Sequence, residues 1–515
     1  MINAIKSEIK RLSKKAFRKE RIQNNREEKY RNQFEKRTGI NAGLSKKRIK
    51  NISHKHFDAA YCARNANFLA KSIWHKVLSQ QYEPIPAINY LIPKPDGSKR
   101  SIMAFSIPDA ALANVVLRRA RDRNLKRLSP SSFAYHPDKN VFDAIIALNS
   151  YERKGKIFAV QIDFEKYFDS IPSWYLKKQI NDASKLSLTP HEKQIFTSFL
   201  HHKYSEYDVY SNNQHKRRTI GTPQGSSISL LLANIANHDL DAALSASSGK
   251  FVRFADDVVA LCDNYDQAKS IEDCFFNHCQ TSGLKLNIKK SPGIAIISSQ
   301  NQEMRHYEYF DYLGYRFNDD GLSIPDKTIN KIKQKISRLI NIYLLYYLQF
   351  GFNPNRSSSK SNYDWDLLGL IYEIRNFLYG GLSEEEIYIF LSNGKRLSRM
   401  QGLMGFYCLI ENPKKLKELD GWMVNVIRRA MKVRNDILNK IYHADSVTPT
   451  NFDLINGTWL NMSSWKGTGP APNAKMPSFM RGWRAARKFY FTFGLENVAP
   501  PAYGHSSDIE TFNNY

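Results

Sequence analysis

The chain is short of acid, of cysteine and of long apolar runs. Its 515 residues carry 49 Asp and Glu against 76 Lys and Arg, a formal net charge of +27. Such a balance asks for a polyanion partner, and nucleic acid answers best, because neutralising phosphates releases their counterions. Five cysteines, an odd number without a Cys-x-x-Cys, argue against a disulfide framework and fit reduced thiols in the cytoplasm. Cys274, His278 and Cys279 stand close together, but a fourth ligand at zinc spacing is missing. No run approaches the ~20 apolar residues of a membrane span. Residues 1–6 open no signal-peptide core, and no amphipathic anchor or lipidation signal stands out, so no membrane partner is expected. There is no internal repeat.

What the chain does have is a core's worth of apolar residues, 42% with 12% aromatic, and length for more than one domain. Its most informative stretch is Phe254-Ala255-Asp256-Asp257, set within Lys250–Leu261. Two adjacent carboxylates between short apolar runs read as a β-hairpin with acids at its turn. Taken alone, the pair also fits a solvated turn, where Asp is common. Burying two like charges is costly unless something positive lies between them. A pair of divalent ions meets that need, and two-metal sites drive in-line phosphoryl transfer. Upstream, Ile157–Asp163 is an apolar strand ending on an acid and running into Phe164-Glu165-Lys166-Tyr167-Phe168-Asp169. Between the two lies Gly221-Thr222-Pro223-Gln224-Gly225-Ser226, then an apolar helical run to Leu240. A strand-end acid, a Gly/Pro/Gln loop and a paired-acid hairpin is the order found in polymerase palms.

On these motifs the chain resembles prokaryotic reverse transcriptases of the group II intron, retron and defence-associated clade, most of all the defence-associated ones. Four more segments carry the resemblance: Lys94-Pro95-Asp96-Gly97-Ser98-Lys99-Arg100, like the family's fingers hairpin; Ser132-Phe133-Ala134-Tyr135-His136-Pro137, like the segment before the first palm acid; Gly283–Asn287 with Lys289-Lys290-Ser291, like the palm lysine motif; and Phe310-Asp311-Tyr312-Leu313-Gly314-Tyr315, like the primer grip. The likeness covers roughly residues 85 to 330 and runs on more weakly to about 435. Two departures are visible. Leu230 stands where the family usually has Pro, and Phe254 stands where many relatives have Tyr.

The resemblance implies an α+β right-hand polymerase fold: a basic N-terminal extension (1–57), fingers (58–156), a catalytic palm (157–325), a helical thumb (326–435) and a C-terminal extension (436–515). It implies that Asp163, Asp256 and Asp257 are catalytic and hold two Mg²⁺ ions, with Mn²⁺ as a substitute and Asp257 coordinating less directly. It places Lys94, Arg100, Phe164, Phe168, Gln224, Gly225 and Lys290 at the substrate. Arg100 would contact the triphosphate. Phe168 would sit under the sugar and exclude a 2′-hydroxyl, and Gln224 would meet the incoming nucleotide or the template base. Lys290 is read either as a general acid toward pyrophosphate or as a surface lysine, with Lys289 beside it. Arg253 is read either as structural or as a template contact. Tyr312, Leu313 and Gly314 would position the primer end. The implied partners are dNTPs, a structured non-coding RNA template and its cDNA, and antiviral defence in the cytoplasm is the implied role. Two other readings stay open: an intron-type maturase acting by RNA binding, and template-poor or protein-primed synthesis. No nuclease, integrase or RNase H signature is found.

At the ends, Lys and Arg outnumber acids by about three to one in residues 1–57. Ile2–Phe34 allows a helix with a thin apolar stripe, either solvated or folding on RNA. Ile329, Ile332, Ile336, Leu339 and Ile340 recur at helical spacing, with Lys331, Lys333, Lys335 and Arg338 on the same helix. Trp459, Trp465, Trp483, Phe489, Tyr490 and Phe491 lie among basic residues. They are read either as a stacking surface for single-stranded bases or as packing against the thumb or a second copy.

Overall fold

A computed structural model describes residues 1–43, 53–94, 97–151, 156–212, 214–247, 249–300, 302–318, 320–358, 363–394, 397, 399–461 and 472–495. Pro95 and Asp96 of the expected fingers turn, and Trp465, lie outside them. The chain divides into two compact units, residues 1–24 with 47–307 and residues 25–46 with 308–515.

The first unit is built on two sheets. Its strands are β1 (Ala87–Pro93), β2 (Lys99–Ala104), β3 (Ile157–Ile162), β4 (Lys203–Glu206), β5 (Lys216–Arg217), β6 (Lys250–Phe254), β7 (Asp257–Cys262), β8 (Gly293–Ile297) and β9 (His306–Tyr307). One sheet has the order β6-β7-β3-β8-β9 and the other β2-β1-β4-β5. In the five-stranded sheet β3 is central and antiparallel to both β7 and β8. Its sequence, Ile-Phe-Ala-Val-Gln-Ile, is nearly continuous apolar because both faces are covered. The helix Tyr265–Ser282 packs Ala268, Ile271 and Phe275 into the core. Asn264 caps its start, and Gly283 at φ +74° ends it in the left-handed region. The helix Ile228–Ala236 is mostly apolar and buried almost throughout, with Ser229 and Asn234 as its polar residues.

The long helix Ile2–Thr38 meets the expectation of an N-terminal helix. Its beginning is anchored in the first unit: Ile5 and Ile9 are fully buried, and Glu8 accepts hydrogen bonds from Arg11 (2.6 Å) and Asn114 (2.8 Å). Its end belongs to the second unit. There Arg37, Arg356 and Arg434 surround Asp366 at 2.9, 2.8 and 3.0 Å. Burial pushes the Asp366 carboxyl up, but Arg434, Arg356 and Arg37 outweigh it and hold it below the ordinary range.

The second unit is mainly helical, with a small antiparallel sheet of β10 (Tyr309–Tyr312), β11 (Tyr315–Asn318) and β12 (Gly321–Ser323). The helix Asp326–Ile340 buries Ile332, Ile336 and Ile340, the stripe that the spacing predicts. The C-terminal aromatics divide. Trp459 donates its indole N–H to the Ala474 carbonyl at 3.2 Å and Trp483 to that of Ile410 at 3.0 Å. Phe489 is buried against Phe390 and Phe493. These three pack within their own unit, whereas Phe491 is exposed.

Candidate active site

The three acids arrive from two strand ends. In the β3·β7 ladder Ile162 faces Val258, so Asp163, one residue on, continues toward Asp257. In the β6·β7 hairpin Phe254 pairs with Asp257, leaving Ala255-Asp256 as a two-residue turn. Ala255 adopts φ +62°, in the left-handed region that favours glycine. Lys166, after the first acid, and Tyr135, in the upstream motif, also have positive φ, at 45° and 61°. Backbone held in rare conformations tends to cluster at functional sites.

Electrostatics show that the carboxylates share one environment. Burial pushes Asp256 up to about 6, and the charge of Asp163 adds to the shift while Lys290 and Arg100 oppose it. Asp257 is pushed up to about 7, first by burial, then by Asp256 and Asp163. Asp163 is also raised by burial, with Lys290 working against it. The Lys290 ammonium lies 3.5 Å from Asp163 Oδ2 on a largely exposed side chain. Three repelling, partly dehydrated carboxylates are the donor set that a hard divalent cation prefers, so the residues present fit Mg²⁺. Among the described residues, no three acidic, His or Cys side chains already form an ion cage. An ion here would have to draw the carboxylates together.

The hairpin turn is held from behind by a residue whose role the sequence left open. Arg253 is fully buried. Its guanidinium reaches both oxygens of Asp241, with Nε at 2.6 Å from Oδ1. It also donates to Asn234 Oδ1 at 2.8 Å and to the Ala255 carbonyl at 3.0 Å. Arg253 is therefore a structural latch on the Ala255-Asp256 turn and not an exposed template contact. On the chain's other side, the Arg253 N–H donates to the Ser131 carbonyl and the Phe133 N–H to the Arg253 carbonyl, both at 2.9 Å. That pairing brings Tyr135 close enough for the charge of Asp256 to help raise its hydroxyl, after burial. Neither Asp241 nor Asn234 announces itself in sequence; they contact Arg253 only once their helices fold back.

The Gly/Pro/Gln loop is pinned between two elements. The Thr222 N–H donates to the Phe168 carbonyl at 2.6 Å, and the Met103 N–H on β2 donates to the Gln224 carbonyl at 2.7 Å. Gly225 has φ +126°, and a Cβ there would stand 2.1 Å from the Met103 carbonyl oxygen. The group that approaches Gly225 closely is therefore β2 backbone and not a ligand. The Gln224 amide donates to Asp169 Oδ2 at 2.8 Å, and Arg218 holds the other oxygen of Asp169 at 2.9 Å. Leu230, at the family's usual Pro, donates its N–H to the Ser227 carbonyl at 3.2 Å, a bond that Pro would not make.

The other expected residues separate clearly. Phe168 is partly exposed, with its ring 6.5 Å from that of Tyr135. Arg100 lies on β2 with its charge felt at Asp256. Lys94 closes the hairpin through backbone bonds with Gly97 and Ser98. Phe164 is not brought to the site by its ring, which is buried among Tyr167, Phe275 and His278. His278 is itself a core residue bonded to Asn237 at 3.1 Å. In the second unit Tyr312 is buried, and Leu313-Gly314, with φ of 47° and 83°, form the tight turn between β10 and β11.

Residues 92–317 match the family model for reverse transcriptase (RNA-dependent DNA polymerase). Over that stretch the chain is similar to reverse transcriptases, and its mixed α and β structure fits a right-hand polymerase fold. Domains of this family are RNA-directed DNA polymerases, which are nucleotidyltransferases. The uncharacterized 91 kDa protein in cob intron of Schizosaccharomyces pombe is 27% identical over 178 residues, 34% of this chain and 20% of that protein. The chain thus spans only a fifth of that relative's length. Two solved structures are similar: apo telomerase from Candida tropicalis, truncated from its C-terminal domain (16% identity, 51% of this chain and 60% of that one, TM-score 0.35), and telomerase from Candida albicans in complex with a TWJ fragment of telomeric RNA (14%, 74% and 66%, 0.37). Among the described residues no helix is long and apolar enough to cross a membrane.

Proposed function

We propose that the protein is an RNA-directed DNA polymerase that copies a dedicated structured RNA into cDNA from dNTPs. The observation that carries this reading is that the end of β3 and the β6·β7 turn bring Asp163, Asp256 and Asp257 together within the stretch that matches the reverse transcriptase model. Asp163 and Asp256 would be the main ligands of two Mg²⁺ ions, which Mn²⁺ could replace, with Asp257 less direct. Bound metal would activate the primer 3′-hydroxyl and neutralise the triphosphate and the leaving pyrophosphate.

The side chains do the rest. The primer 3′-hydroxyl releases its proton to solvent and its oxygen bonds to the α-phosphorus as the bond to the pyrophosphate oxygen breaks. Arg100 grips the triphosphate with its planar fork, and Lys94 adds a point charge nearby. Phe168 lies under the sugar and rejects a 2′-hydroxyl. Gln224, oriented by Asp169 and backed by Gly225, meets the nucleotide or template base. Lys290 gives a proton to the departing pyrophosphate. Phe164 acts from beneath, as packing under the Asp163 turn. Tyr312, Leu313 and Gly314 set the primer end. In this scheme residues 58–156 are fingers, 157–325 palm and 326–435 thumb, followed by a C-terminal extension at 436–515. The setting we attach to this synthesis is antiviral defence in the cytoplasm.

A second reading is favoured by the relative named for a cob intron: binding of intron RNA to assist splicing. Sequencing the RNA and DNA that co-purify with the native protein, beside an Asp256→Ala/Asp257→Ala control, separates the two. One RNA species with complementary DNA in wild type alone supports the polymerase. A specific RNA without DNA in either sample supports the splicing reading, and DNA covalently attached to protein points to protein priming.

A further inference from the structure

The face of the β2-β1-β4 sheet that carries Arg100 also carries an exposed aromatic pair that the proposed reaction leaves unused. Register fixes the face. Ile92 pairs with Arg100 and Tyr90 with Ile102, and residues paired in a ladder share a side. Side chains two apart along a strand point the same way, so Tyr90, Ile92 and Arg100 lie together. In the parallel β1·β4 pair Asn89 stands against Glu206, which sets Tyr207 beside Tyr90. The two rings stack, with centroids 6.0 Å apart and planes at 28°. Tyr90, Tyr207 and Ile92 are 42%, 40% and 46% exposed. Arg100, on this face, is near enough to Asp256 for its charge to oppose that carboxyl's rise.

The chemistry of the patch selects its occupant. β1 has both edges taken, by β2 and β4, so it cannot accept an added strand. What it offers is flat π-surface beside an arginine, on a chain of net charge +27. A base on a phosphate string matches both features, because every base has a π-face and every linkage a negative charge.

We propose that Tyr90 and Tyr207 form a stacking platform for unpaired bases of the RNA template as it approaches the acids. The identity of the strand as template rests on the polymerase reading; the binding of single-stranded RNA does not. Recognition here is by stacking, so it tolerates any sequence.

The test is fluorescence anisotropy with a labelled single-stranded pyrimidine RNA, without primer or dNTP. Tyr90→Ala/Tyr207→Ala should weaken binding about five-fold or more, the lower end for one lost base–aromatic stack. The slope of log affinity against log salt should stay unchanged, because no phosphate contact is removed. Tyr90→Phe/Tyr207→Phe should bind like wild type. Tyr90→Leu/Tyr207→Leu, which keeps apolar bulk and is checked by thermal melting, should bind like the Ala pair. The platform is overturned if the Ala pair binds like wild type, if the Leu pair binds as well as the Phe pair, or if the salt slope falls with the affinity. If wild type extends no primer on any RNA template while the Ala pair still loses single-strand affinity, the platform stands and the polymerase reading fails.

Discussion

Arg253 and Asp241 are both buried, so neither can lose its partner cheaply. Removing one member of such a pair costs about 3–5 kcal/mol, because the other charge stays buried and uncompensated. Arg253→Met should therefore lower unfolding free energy by about that amount in urea titrations. Adding Asp241→Asn should recover part of the loss; purely additive losses would mean the pair is not coupled. Asp256 and Asp257 behave in the opposite sense. Their folded pKa values, about 6 and about 7, lie above the unfolded carboxylate value of about 3.9. Stability from these groups is thus fully present below the unfolded pKa and is lost as pH rises through the folded values. In EDTA, Asp256→Asn/Asp257→Asn should melt above wild type at pH 8, and the gap should narrow at pH 5. Excess Mg²⁺ should raise the wild-type melting temperature and leave the variant's unchanged, since a ligand stabilises only the state that binds it. The acids themselves were legible because they are adjacent and flanked by apolar runs. Arg253 was visible as a residue but not as a latch, since Asp241 and Asn234 reach it from a helix pair whose path the local pattern does not encode.

Elements place these residues through backbone contacts that sequence reports only as glycines. The loop from Gly221 to Gly225 joins β2 to the turn after β3 by the bonds Met103 to Gln224 and Thr222 to Phe168. A methyl at Gly225 would collide with the Met103 carbonyl in a backbone conformation that L residues rarely adopt. Such strain alone costs about 1–3 kcal/mol. Gly225→Ala should lose at least that much stability, and amide exchange at Met103 should quicken; unchanged Met103 protection would show that the loop is not pinned to β2. The sequence places this glycine at the substrate, and what fills the space beside it is β2 backbone, which the local pattern does not encode. A nearly continuous apolar strand and the isoleucine stripe of Asp326–Ile340 were read correctly, because burial on two faces or on one leaves a periodic trace. The C-terminal tryptophans are ambiguous in sequence because stacking on a base and packing against the chain's own backbone select the same residue type. Trp459 and Trp483 resolve it by donating their indole N–H groups to carbonyls of their own unit.

At the scale of the molecule, the excess of basic residues bears on the proposed RNA partner. Affinity for RNA should fall linearly on a log–log plot against salt, with a slope near −0.7 for each phosphate contacted on a single strand. A flat line in filter binding would contradict a phosphate-led interface. In the proposed reaction the acids act after binding. Two-metal catalysis is worth several kcal/mol, and each ~1.4 kcal/mol is tenfold in rate, so loss of one ligand should cost about 10³-fold or more. The most direct measurement is primer extension by the purified full chain on a defined RNA template, with dNTPs and Mg²⁺, beside Asp256→Asn and an EDTA control. Templated incorporation by wild type that EDTA and Asp256→Asn both abolish is the predicted result. Incorporation that survives Asp256→Asn, or wild type that binds the primer–template and adds no nucleotide with either Mg²⁺ or Mn²⁺, would contradict it.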